Sequence, residues 1–575
     1  MSLETKSIEL KEIVGSFETK WFLGHISGLI MNIVSGLADT EIKNLSSPLK
    51  QLYYLGGLLL SSNEDNISIY SMNNSDYEDI WNKIVILLNE IEEEYEKMFI
   101  PKEEDIINED WLKMRSVAMP SFLKYFNQGP LNYEEQKINW ISDLYKDFDD
   151  KILKELNLTT SDLILFYNTI DFLFQDKFQG FTGDQSKFKK EWMELTDNKV
   201  IISKEIPDFF RVQQEEKLPL YQYVQDNGII CRFRKEDLVN NELSIEKIGI
   251  ILDLFTCNRL ETEFLFYSST KPSNPLYKKP IVIVEQNLFQ IFEVKQVLHS
   301  IEELLENICL SDAKSKTKLI DKKGKLLENR ISHLFEKMLV KNFEKFDSYY
   351  VDGNEQDLLF LWKKNAFIIE AKGYSIREPL RDPSRAYERI KDDFKNSIGY
   401  GYKQTHRIES KFINNEDLII TDEKKKIIKT IKTSDYDESD FSIIVNLNSF
   451  GQIQNDLSTL LKKDEEGTFP WVVKLDDLEV IILTLLKLKK TANYLIEYLT
   501  FREQLHGRLI CSDELEIFGA FIQNIVDEKM IEDENLTIMT HPNYASLFDD
   551  LYYKGFGFKN EKYLKEKLSG KYRFI

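Results

Sequence analysis

The sequence predicts an α+β multidomain chain with a helical N-terminal region, a central α/β core built on a mixed sheet, and a helical C-terminal region. Three observations predict it. Apolar residues recur at three- and four-residue steps before about residue 200 and after about residue 450. Between 348 and 447 they gather instead into short runs of strand length. The charge balance also changes sign inside that central stretch. A chain of 575 residues is too long for one core. The pattern shifts divide it into 1–200 (helical), 201–310 (a mixed α/β lobe or connector), 311–450 (the core) and 451–575 (helical).

In the first region, "DIWNKIVILLNEIEEEYEKMF" (79–99), "QKINWISDLYKDFDDKILKEL" (136–156) and "DLILFYNTIDFLFQDKF" (162–178) read as amphipathic helices. Asn/Ser clusters at 45–47, 61–66 and 73–75 read as loops. The apolar stretch 21–38 carries His25, Ser27, Asn32 and Ser35, which suits a buried helix and not a membrane span. In the second region, 199–203, 228–233 and 280–292 are β-type runs, and 293–310 returns to helix.

Composition excludes several classes. The chain is 42% apolar, enough to fill several cores, so it is not disordered as a whole. Its formal charge of −22 excludes nucleic-acid binding by the surface at large, so any such binding must be local. Four scattered cysteines with no CxxC pair and no Cys/His cluster exclude a structural zinc site and fit a reducing compartment. No basic segment followed by an apolar one opens the chain, so a cytoplasmic protein without a membrane partner is expected. GxxxxGK[ST], GxSxG and HExxH are all absent.

Residues 314–411 hold 22 basic and 15 acidic side chains, a net of 22 − 15 = +7, which leaves −22 − 7 = −29 for the rest. Inside this window 324–343 reads as a helix with Leu327, Ile331, Leu334, Phe335 and Met338 on one face. Strands follow at 348–351, 357–362 and 366–371, then a long helix at 384–408 behind Pro383. Residues 417–432 read as an inserted hairpin and 440–447 as a further strand. Beyond it, 470–504 opens with a strand-like run before a helix capped by Asp476 or Asp477, and Ser512 caps another helix.

The chemistry centres on "EQDLLFLWKKNAFIIEAKGY" (355–374). Twelve residues separate Asp357 from Glu370. If the two apolar runs pair as an antiparallel hairpin, residue 357 faces 370–371 and the two carboxylates converge. With the carbonyl of Ala371 they make a hard-oxygen site suited to Mg²⁺ or Mn²⁺. Lys372 shares a strand face with Glu370, where its ammonium can orient water and stabilise charge on a phosphate. The constellation suits phosphodiester hydrolysis. Elsewhere, Arg502 and His506 resemble a ribonuclease-type Arg–His pair, but their spacing and charged neighbourhood argue against it. His333 reads as a surface or packed histidine, and His406, two residues from Gln404, lies near enough in sequence to approach the site.

Asp357 followed by Glu370-Ala371-Lys372 at the end of an apolar strand, with helix, three strands and helix around it, resembles the PD-(D/E)xK superfamily of restriction-endonuclease-like nucleases. The resemblance covers roughly 320–450. It implies a helix carboxylate at the metal, Glu328 or else Glu336, and a supporting Gln404 on the following helix. It departs from the family pattern in placing Gln356 where a proline often precedes the Asp. It further implies a Mg²⁺- or Mn²⁺-dependent endonuclease acting on DNA, with Lys322, Lys323, Lys325, Arg389, Lys395 and Arg407 as candidate phosphate contacts. Such cores joined to large helical regions occur in bacterial anti-phage defence nucleases, where the helical parts assemble oligomers or hold a defence partner. A catalytically silent scaffold and a ribonuclease are the alternatives.

Overall fold

The computed structural model describes the chain apart from residues 1, 35–40, 71–73, 103–104, 106, 127–131, 198–210, 212–225, 269–271, 375–376, 378–382, 527–529, 531–532, 534–535 and 562–575. The architecture is α+β, helical at both ends with mixed sheets between. The described residues pack as two compact units, one from Met1–Met98 with Lys137–Asp312 and the other from Phe99–Gln136 with Ala313–Leu564.

The first unit is built on helices at Leu3–Gly15, Thr19–Val34, Pro48–Leu60, Asn74–Glu96 and Thr160–Asp197, whose apolar faces bury Phe17, Phe22, Tyr53, Tyr54, Phe166 and Tyr167. The apolar run at 21–38 is therefore mostly a buried helix. No described helix is long and apolar enough to cross a membrane. The run at 280–292 is a hairpin, Ile281–Glu285 with Leu288–Ile291, turned at Asn287 with φ 57°. The expected strand at 228–233 is corrected: Asn227–Cys231 is a 3₁₀ turn and only Arg232–Phe233 pairs as strand. Asp226 wins locally, because its side chain accepts the Gly228 N–H and caps the turn. The expected strand at 199–203 lies outside the described residues.

The second unit holds a seven-stranded sheet. Its strands are β1 (Phe343–Val351), β2 (Asn354–Trp362), β3 (Asn365–Lys372), β4 (Leu418–Thr421), β5 (Ile427–Ile431), β6 (Ser439–Asn446) and β7 (Trp471–Lys474), in the order β7-β6-β3-β2-β1-β4-β5. β6 runs parallel to both β3 and β7, and the other pairings are antiparallel. The sheet thus extends past residue 450. Asp352 and Gly353, at φ 51° and 79°, make the two-residue β1–β2 turn that matches strand twist. Lys363-Lys364 closes β2–β3, with Trp362 paired to Asn365.

Among the helices on this sheet are α1 (Ala313–Leu339) and α3 (Tyr400–Ile413), the latter reached through α2 (Pro383–Phe394). α1 seats Phe335 against Phe360 and Phe367, at ring distances of 5.5 and 5.7 Å. α3 packs Ile408 and Phe412 against Leu359, Leu361 and Ile368 on the opposite face. The long helix expected at 384–408 runs without a break from Pro383 to Ile413, with its α pattern widened to one π-helical turn at Lys395–Gly399. Two expected caps are also corrected. The helix Leu475–Lys487 starts behind Lys474, with Asp476 and Asp477 already in its first turn. The helix Glu514–Ile522 is capped by Asp513, whose side chain accepts the Leu515 N–H, and not by Ser512.

Candidate active site

The site forms where the β2–β3 ladder stops. Leu358 pairs with Ile369, and one step further the two strands part. There the backbone groups that would continue the ladder turn to carboxylates. The Asp357 N–H donates to Glu370 Oε1 at 3.3 Å, and the Ala371 N–H donates to Asp357 Oδ2 at 2.7 Å. Each acid thus binds the other strand's backbone, and the opening between the strands is filled by oxygen. β1 is disturbed at the same level, where Ser348 adopts φ 46° and drops out of the β1–β2 register. Asp357 therefore sits where the β2–β3 ladder stops and opposite the one irregular residue of a β1–β2 ladder that keeps its register on either side.

Lys372 completes the group. Its Nζ lies 2.8 Å from Glu370 Oε2 and 3.7 Å from Asp357 Oδ2. The Lys372 carbonyl accepts the Leu447 N–H beyond β6. Alternate residues of a strand turn their backbone groups to opposite neighbours, so the carbonyl of Ala371 faces β2 and the two acids. Glycine at 401 lets α3 approach Lys372 and Ile444 closely. A Cβ there would meet Lys372 Cε at 3.1 Å. The Tyr400 ring lies 5.6 Å from Lys372 Nζ.

The electrostatics are those of acids short of positive charge. Burial pushes Glu370 up to about 8; Lys372 opposes the shift and Asp357 adds to it. Burial raises Glu328 on α1 to about 7, with Asp357 and then Glu355 adding to the effect. Glu328 is therefore the α1 carboxylate in the field of Asp357. Glu336 is taken by Lys345, 2.9 Å away.

Asp357, Glu370, Ala371 and Lys372 are thus brought together as their spacing suggests. Gln404 lies on α3, one turn beyond Gly401, and its buried Oε1 has no hydrogen-bond partner among the described residues. Lys322, Lys323 and Lys325 lie on α1, with Lys325 exposed; Arg389 is on α2, Lys395 is exposed in the π turn and Arg407 is on α3. His406 is engaged by Glu409 and Asp464 at 2.9 and 3.1 Å. His333 is exposed. Arg502 is buried on Glu514, and His506 Nδ1 accepts the Leu457 N–H, so both serve packing.

Sequence reasoning missed two neighbours. Asn446 pairs in parallel register with Lys372, is 1% exposed, and accepts Ser397 Oγ–H at 3.3 Å while its Nδ2 has no partner among the described residues. Tyr349 is buried, its hydroxyl has no hydrogen-bond partner among the described residues, and burial together with Glu370 and Asp357 drives its acidity far down. The sequence placed Tyr349 in the 348–351 strand but carried no sign that it lies beside the two acids.

Among the described residues no group of three or more His, Cys, Asp and Glu side chains has the arrangement to hold a metal ion. Mg²⁺ asks for less, since one or two carboxylates suffice beside water and phosphate oxygens. Two carboxylates and a carbonyl facing them fit that donor set, and acids held protonated near neutral pH fit an added divalent charge.

Comparison with models of protein families, with curated proteins and with solved structures finds no match.

Proposed function

We propose that the chain is a metal-dependent nuclease that hydrolyses phosphodiester bonds of DNA. The observation that carries this reading is the reciprocal bonding of Asp357 and Glu370 across the parted strands, with Lys372 on both. A bound Mg²⁺ would supply Lewis-acid polarisation of a phosphoryl oxygen and a more acidic water. Asp357, Glu370 and the Ala371 carbonyl would hold it. The Lys372 ammonium, released from Glu370 Oε2, orients the attacking water and offsets the charge that develops on the phosphate. Glu328, raised to about 7, has the acidity of a proton acceptor at neutral pH. Gln404 supports from α3. The element order around the site supports a restriction-endonuclease-like reading, and the large helical regions in the chain suggest anti-phage defence by analogy.

A second reading, a catalytically silent scaffold, draws support from Lys372 already pairing with both acids. Cleavage assays with Mg²⁺ or Mn²⁺ on single- and double-stranded DNA and RNA separate these readings. We expect duplex DNA to be cut, and Lys372→Ala to cut on the order of 10²–10³-fold more slowly. Equal rates for the two proteins, or no cleavage of any nucleic acid together with no Mn²⁺ binding by calorimetry, reject the nuclease.

A further inference from the structure

The β4–β5 hairpin carries a surface that the packing of its own unit does not explain. β5 is the last strand of the sheet, and residues 423–430 are all exposed. The tip is well defined. The Lys425 N–H donates to the Asp422 carbonyl and the Lys426 N–H to Asp422 Oδ1, at 2.9 and 2.8 Å, and Lys425 takes φ 64°. Residues 422–432 hold five lysines and two acids, a net of 5 − 2 = +3 in a chain of −22. Lys429 is paired with Glu344, whereas Lys424, Lys425 and Lys426 have no ion-pair partner among the described residues.

The isoleucines are the second, independent observation. Lys429 pairs with Ile420 and Ile427 with Thr421, so Ile428 is an extra residue at a register shift. The shift breaks strand alternation and leaves Ile427 and Ile428 60% and 57% exposed, beside Ile419 at 47%. Lysines alone would protect a terminal strand from pairing with another chain. Exposed isoleucines work against that purpose, and beside unpaired lysines they make a mixed basic and apolar surface.

We propose that this hairpin docks duplex DNA, with Lys424, Lys425 and Lys426 on phosphates and Ile427 and Ile428 against the groove. Lysines beside an apolar wedge are what a bent or opened base step accepts. The hairpin belongs to the same sheet as the candidate site. β5 lies three strand spacings from β2, about 14 Å, which is less than one turn of duplex, about 34 Å. The choice of nucleic acid as occupant rests on the nuclease reading.

The test uses full-length Lys372→Ala protein, so that binding is measured without cutting. Anisotropy of a fluorescein-labelled duplex is followed through a salt titration. K424Q/K425Q/K426Q in that background should lose on the order of tenfold in affinity and flatten the log K against log salt slope by about 2 to 3, at roughly 0.9 per phosphate contact. I427S/I428S should lose affinity with the slope unchanged. All five positions are exposed, so the melting temperature stays at the parent's. Unchanged affinity and slope in both variants, or no duplex binding by the parent, overturns the proposal. So does a self-associating parent whose dimer is lost in I427S/I428S while DNA binding persists, since the edge would then serve a second copy. If hairpin-dependent binding is found but wild type cuts no nucleic acid, docking stands and the nuclease reading falls. If wild type cuts duplex and the hairpin variants bind it equally well, docking falls and the nuclease reading stands.

Discussion

Glu370 is buried, with Asp357 beside it, and its carboxyl is raised from an ordinary 4.5 to about 8. A carboxyl that holds its proton more tightly when folded stabilises the fold at low pH, and that contribution is lost as pH rises through about 8. In the cation-free protein stability should therefore fall between about pH 4.5 and 8, and a divalent cation should restore it. Glu370→Gln mimics the protonated form. Its melting temperature without metal should exceed that of wild type above pH 8, and it should gain nothing from Mn²⁺. Scanning calorimetry with and without Mn²⁺ checks both signs, and a wild type that melts higher than the variant at pH 9 without metal contradicts the assignment. Asp357, Glu370 and Lys372 were legible in the sequence because an antiparallel hairpin turns a spacing into a contact. Asn446 was not, because its partnership with Lys372 is parallel and arrives through a long crossover that leaves no local sign.

Elements show where local signals compete with packing. The strand cores at 348–351, 357–362 and 366–371 were legible from their apolar runs, but β1 begins earlier, at Phe343, through the charged and partly exposed "FEKFD". The π turn inside the long helix left no mark in the apolar period, which runs on through it. A π turn of this kind often marks a functional site, and this one sets Ser397 on Asn446 and Tyr400 over Lys372. The end of α1 offers an element-scale prediction. Val340, just past it, holds φ 63° with its side chain 72% exposed. A β-branched residue there is strained by roughly 1–2 kcal/mol, and helices usually place glycine at this position. Val340→Gly should raise stability by about 1 kcal/mol, read from urea unfolding. A destabilised variant would show that the left-handed turn is not maintained in solution.

The second unit is discontinuous in sequence, which local periodicity cannot reveal: it identifies an amphipathic helix but not which core the helix covers. The helix Glu109–Phe126 packs on α2 and on the 452–459 segment, burying Val117 and Phe122. Tyr133 is buried among Tyr552, Phe556 and Phe558, with ring centroids 4.5, 5.7 and 5.3 Å away, and its hydroxyl donates to Asp549. Asn132 Nδ2 donates to buried Asp477 at 2.6 Å, and Gln136 Nε2 to the Asp476 carbonyl at 2.9 Å. A fragment beginning at residue 311 keeps the whole seven-stranded sheet and every candidate site residue, yet it loses these partners. Each large apolar side chain that goes unburied costs about 1.5–3 kcal/mol, and buried Asp477 also loses an amide donor. Together these losses approach the whole stability of an ordinary domain, about 5–15 kcal/mol. The fragment should therefore aggregate or melt without cooperativity, and rejoining 99–136 through a flexible linker should restore a cooperative transition and Mn²⁺ binding. If the bare fragment melts as sharply and as high as the linked one, the 99–136 segment is dispensable to the fold and the site stands on the sheet alone.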